Sequence, residues 1–142
     1  MRVAGSTGRL VFARIDGGED LLLGIKRVAK EENIRSGFLS CIGALRRARV
    51  GYYIGSGQYK AIELEGPLEI ACCLGNIALF EGEPLVHAHI CVCDGEGRAF
   101  GGHLLEGCLV SPTAELTIIE LSGAELVRYL DERTGLKLLG KP

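Results

Sequence analysis

The sequence lacks tryptophan altogether and has one methionine and four prolines in its 142 residues. No apolar run approaches the roughly 18 residues that a membrane helix needs, so no membrane span is expected. Basic excess is missing too: the net charge is −2 and the pI is about 5.9. A domain that grips nucleic acid through its own surface carries such an excess, because neutralising phosphates supplies most of the affinity. Direct nucleic-acid binding is therefore not expected. The six cysteines contain no CxxC pair, which removes the zinc-ribbon and thioredoxin readings. The stretch from Met1 to Arg14 alternates polar and apolar residues and lacks the continuous apolar core of a secretory signal. The expected compartment is the cytoplasm, where cysteines stay free thiols. A nucleophile motif, a phosphate-cradling loop and carboxylate pairs at diagnostic spacing are absent as well.

What is present is the composition of one globular domain spanning 1–142, with 47% hydrophobic and 24% charged residues. Gly8 to Ile15 alternates as a strand does. From Glu19 to Glu32 the period becomes helical, with Leu22, Ile25, Val28 and Ala29 on one face, Glu19 and Asp20 in the first turn and Asn33 as the stop. From Arg35 to Leu121 the chain reads as strands punctuated by glycine: Phe38–Ile42, Arg47–Ile54, Gln58–Leu64, Leu68–Leu74, Ala78–Phe80, Leu85–Cys93, Arg98–Leu105 and Ala114–Leu121. Asp94-Gly95-Glu96-Gly97 predicts an antiparallel hairpin between two of them. Ser122-Gly-Ala-Glu125 has the spacing of a capping box and predicts a second helix carrying Leu126, Tyr129 and Leu130 inward, before a last strand over Leu136–Leu139. The fold class is α/β in the broad sense, or α+β: a mostly antiparallel sheet flanked by two helices.

The informative stretch is Pro84-Leu-Val-His-Ala-His-Ile-Cys-Val-Cys-Asp94. On a strand, Val86, Ala88, Ile90 and Val92 make an apolar face, while His87, His89, Cys91 and Cys93 make the other. Two histidines at i and i+2 stand about 6–7 Å apart at their bases, close enough for one metal ion to accept both imidazoles. His103 follows the hairpin turn in Phe100-Gly-Gly-His103-Leu, where an antiparallel return places it opposite the pair. The glycines before it permit a bulge or a close backbone approach. His87, His89 and His103 are therefore the expected ligands of zinc or another divalent transition metal. Cys91 and Cys93 lie too far along the strand to join them, and Cys41, Cys72, Cys73 and Cys108 sit in apolar runs that predict core positions. Glu106 is a candidate partner just outside the ligand set. Its spacing from His103 puts it on the opposite strand face, where a salt bridge or turn contact is its simpler role.

Phe38-Leu-Ser-Cys-Ile-Gly-Ala-Leu45, Val50-Gly-Tyr-Tyr53, Leu74-Gly-Asn-Ile77, Leu85-Val-His-Ala-His89 with Asp94-Gly95, Gly101-Gly-His-Leu104 and Thr113-Ala-Glu115 together resemble the PPC domain, the "plants and prokaryotes conserved" domain. The resemblance runs from about Gly8 to about Leu139, and its most specific parts are the HxH pair and the Gly-Gly-His-Leu segment. It implies a mostly antiparallel sheet flanked by helices, assembled as a homotrimer. In plants the domain follows an AT-hook, a minor-groove element of the Arg-Gly-Arg-Pro type, and free-standing prokaryotic copies carry a DNA-binding label by that association. This sequence contains no such element; its densest basic cluster is Arg46, Arg47 and Arg49, which a solvated face or subunit contact explains. Cupins also use an HxH pair and a later histidine, but here Cys93 or Asp94 stands where their glutamate would be.

The preferred expectation is a trimeric metal-binding module with a ligand-sensing or scaffolding role, taking a small molecule at the metal and acting beside a DNA-bound partner. A metal-dependent hydrolase or lyase with an open three-histidine site is the alternative, and a direct DNA-binding regulator the second alternative.

Overall fold

Eight strands and one helix make up the chain as a computed structural model describes it, over residues 1–140; residues 141 and 142 of the expected 1–142 domain lie outside the described residues. In chain order they are β1 (Ser6–Asp16), α1 (Leu21–Glu31), β2 (Gly37–Gly55), β3 (Gln58–Phe80), β4 (Glu83–Cys93), β5 (Ala99–Leu104), β6 (Leu109–Ser122), β7 (Arg128–Asp131) and β8 (Leu136–Leu139). Six of them form one antiparallel sheet in the order β1-β6-β2-β3-β4-β5. β5 also pairs back onto the far end of β2, through Val50 with Leu104 and Gly51 with His103, so that β2 to β5 close on themselves. The architecture is mostly antiparallel β with a single short helix.

α1 forms where the period demanded it. Its N-cap is Asp20, whose carboxylate accepts from Leu23 N at 3.0 Å. Asp20 and Glu19 thus precede the helix, and Glu19 pairs instead with Arg27. Glu32 is the C-cap, and Asn33 after it takes a positive φ of 54°, which stops the helix. Its buried Leu21, Leu22, Ile25, Val28 and Ala29 join Ile15, Leu39, Cys41, Ile77, Leu116 and Ile118 in one core. Each fully buried leucine or isoleucine there contributes about 1.5–3 kcal/mol. At 11 residues the helix is too short to cross a membrane, and no other helix occurs among the described residues.

Three expectations are corrected. The segments 38–42 and 47–54 are one strand, as are 58–64, 68–74 and 78–80; bulges at Cys41/Gly43, Leu45/Arg47 and Ile70/Cys72 bend these long strands without ending them. The second helix is absent. Gly123 takes a φ of 76°, Glu125 turns its carboxylate to Arg35 at 2.7 Å, and Leu126 N donates to Ser36 Oγ. Arg128–Asp131 then pairs with Leu136–Leu139 as a hairpin, since so few residues gain little as an isolated helix. Cys72 is exposed, not core, because the bulge at Ile70/Cys72 shifts it outward; Cys41, Cys73 and Cys108 are buried as the pattern implied.

α1 and the core cover one face of the sheet. A rung on the opposite face runs through Phe12, Thr117, Ser40, Leu74, His89 and His103, and the next through Leu10, Ile119, Phe38, Asn76 and His87. Leu10, Phe12, Phe38, Ile42 and Leu74 are all exposed on this side, Phe12 by 73%.

Candidate metal centre

β4 lays Val86, Ala88, Ile90 and Val92 in the core and turns His87 and His89 to the opposite face. The link after Cys93 is a tight hairpin in which Asp94 Oδ1 accepts from the main-chain nitrogens of Glu96 and Arg98. β5 then returns in unbroken register, with His103 opposite His89. The glycines before His103 serve close approach: a Cβ on Gly101 would stand 2.7 Å from Ile90 O, and one on Gly102 2.8 Å from Gly51 O.

The three imidazoles converge. Ring centroids are 5.4 Å apart for His87 and His89, 5.0 Å for His87 and His103, and 5.5 Å for His89 and His103. One ring nitrogen from each lies within 4.8 Å of the others. Tetrahedral zinc with bonds near 2.1 Å spaces its ligands about 3.4 Å apart, so small side-chain rotations close the set. Tyr59 stacks on His103 at 4.8 Å and fixes that ring. His103 Nδ1 is buried without a hydrogen-bond partner, an orphan that a metal ion would satisfy.

Electrostatics favours the neutral rings that a metal requires. Burial above all, then repulsion from His87, His89 and Arg128, pushes His103 down to about 4. Burial, Arg128 and His89 likewise lower His87. His89 is exposed, which leaves one side of the cluster accessible. Donor type, spacing and protonation all fit a divalent transition metal.

Glu106 lies beyond β5, with its carboxylate on Lys26 at 3.0 Å and its carbonyl accepting from Arg49. Arg47 and Arg49 are paired with Glu63 across the strand. Sequence reasoning did not single out Arg128. The β7–β8 hairpin delivers it to the cluster, where Nη2 donates to Asn76 Oδ1 at 2.6 Å and stands 3.3 Å from His87 Nδ1. The available signal was the turn Asp131-Glu-Arg-Thr-Gly135, in which Asp131 Oδ2 accepts from Thr134 and Gly135 takes a φ of 69°. A cavity of about 780 Å³ opens beside the cluster, lined by His87, His103, Tyr59, Asn76 and Arg128 among others.

Known proteins share this arrangement of strands. The Plants and Prokaryotes Conserved (PCC) domain matches residues 2–122. A plant- and prokaryote-conserved (PPC) protein of Pyrococcus horikoshii is similar at 36% identity and a TM-score of 0.90, over 100% of this chain and 98% of that one. A metal-containing protein of Archaeoglobus fulgidus is similar at 34% identity and a TM-score of 0.88, over 99% of this chain and 100% of that one. The bifunctional protein GlmU of Synechococcus sp. (strain JA-3-3Ab) is 33% identical over 128 residues, which is 89% of this chain and 20% of GlmU. The chain thus spans about one fifth of the length of the curated relatives it matches. By the match over residues 2–122, the chain belongs to the Plants and Prokaryotes Conserved (PCC) domain family.

Proposed function

We propose that the protein is a trimeric metal-binding module that holds zinc, or another divalent transition metal, through His87, His89 and His103 and senses or scaffolds a ligand beside it. The observation that carries this reading is the convergence of three imidazoles, with one ring nitrogen from each within 4.8 Å of the others. The metal-containing relative from Archaeoglobus fulgidus supports it. The ring nitrogens supply neutral donors, and the exposed edge at His89 leaves room for a further ligand. Glu106 stays outside the ligand set, in a salt bridge with Lys26. Trimer formation is supported by the apolar outer face, since Leu10, Phe12, Phe38, Ile42 and Leu74 together form a patch that a second copy of the chain would cover. Leu74 is the cross-strand neighbour of His89, so the subunit boundary would border the metal. Any link to DNA runs through a partner, because Arg47 and Arg49 are taken up by Glu63.

Elemental analysis of the purified, tag-free protein beside a His87→Ala/His89→Ala variant tests this. About one metal per chain, lost in the variant, is the expected result. No metal in either protein after zinc reloading contradicts it.

A second reading, a metal-dependent hydrolase or lyase, is favoured by the cavity that adjoins His87 and His103. A bound divalent ion would supply Lewis acidity there. Turnover of small ester or carbonyl substrates, lost with the histidines, would distinguish it.

A further inference from the structure

Four cations line the cavity beside the histidines; two are paired with carboxylates and a third, exposed, rests on an aromatic ring. Lys26 holds Glu106 at 3.0 Å, Arg49 reaches Glu63 at 3.6 Å, and Lys137 lies 4.1 Å above the Phe80 ring. Arg128 differs. Its guanidinium donates to Lys137 O and Asn76 Oδ1 and stands 3.3 Å from His87 Nδ1, all neutral acceptors. Its Nε is buried with no partner, and among the described residues no carboxylate pairs with it. A half-buried guanidinium without a counter-charge is costly to keep, and the Nη1 hydrogen not given to Lys137 O remains to donate to a carboxylate. Much of the remaining wall is apolar, with Leu22, Leu85, Leu105, Leu136 and Leu138. Lining of this kind suits a ligand with an apolar body and one charged end.

We infer that the cavity receives a small organic monocarboxylate, its carboxylate accepting from Arg128 beside His87 and its apolar body lying along the leucines. One half-buried cation without a counter-charge favours one carboxylate over a phosphate, which carries more charge and calls for several donors. The inference deepens the ligand-sensing reading and rests on it for the role of the neighbouring metal. The two fail separately, because Arg128 and the leucines are not metal ligands.

Hexanoate, 1-hexanol and inorganic phosphate are the probes, titrated by calorimetry into zinc-loaded and metal-free protein, with zinc stoichiometry measured in parallel. Hexanoate is expected to bind saturably and at least about tenfold more tightly than hexanol, as a charge-assisted pair requires. Arg128→Met should lose that margin and Arg128→Lys should keep only part of it, with thermal melts confirming that both variants fold. Should Arg128→Met fail to fold, the margin of hexanoate over hexanol and its partial loss in Arg128→Lys still decide. Equal binding of hexanoate and hexanol, binding unaffected in Arg128→Met, or phosphate binding as tightly as hexanoate would overturn the inference. Stoichiometric zinc without hexanoate binding removes the carboxylate site and leaves the metal site. Hexanoate binding without zinc does the reverse.

Discussion

Arg128 Nη2 stands 3.3 Å from His87 Nδ1, and a guanidinium can only donate, so that nitrogen's lone pair is engaged by a cation. Arg128 therefore opposes a metal at His87 by charge repulsion. Arg128→Met should raise zinc affinity by about tenfold at low salt, and less at high salt, where screening weakens the repulsion. Competition titration against a chromogenic chelator reads this, and an unchanged or weakened affinity in a folded variant contradicts it.

Gly75 sits on β3 where a Cβ would stand 2.3 Å from His87 O and 2.7 Å from Ala88 Cβ. The obstacle is main chain of the neighbouring strand, which cannot rotate away. Gly75→Ala should cost about 1–3 kcal/mol of stability and weaken metal binding, because β4 must shift with its histidines. A denaturant midpoint and zinc affinity both equal to wild type would show that β3 and β4 have slack.

His103 stays neutral down to about 4 in the folded chain, against an ordinary value of 6.5. Between those values the unfolded chain holds a proton that the folded chain refuses. The stability of metal-free protein therefore falls as pH drops through that window. His103→Leu removes this part of the slope, so its melting temperature should fall less than wild type's between about pH 7 and about pH 4.5. Parallel curves for the two proteins would mean that His103 titrates normally.

Phe12 is 73% exposed on the apolar outer face. The protein should show a solution mass near three times 15.2 kDa by light scattering. Phe12→Asp, which places a charge in the buried centre of such an interface, should reduce it to the single-chain mass. A wild-type protein that runs as a monomer would contradict the trimer.

Much of this was legible in the sequence because it rests on period. The alternation from Val86 to Cys93 fixed which face carries His87 and His89, and the short link 94–97 fixed the antiparallel return that sets His103 opposite His89. The helical period from Leu22 to Ala29 gave α1. What failed was local chemistry without context. Ser122 and Glu125 have capping-box spacing, but Glu125 is drawn to Arg35, and Leu126 N finds Ser36 Oγ. The residues after them pair as a hairpin. That error hid Arg128, because a helix would have aimed it elsewhere. The long strands β2 and β3 were read as fragments because glycines at bulges look like turns when only the sequence is in view.

The most direct test of the metal centre is anomalous diffraction from crystals of the zinc-loaded protein, collected on both sides of the zinc edge. One strong peak per chain is expected, bonded at about 2.1 Å to a ring nitrogen of each of His87, His89 and His103. A peak bound elsewhere, or none between these rings at full zinc loading, would contradict it.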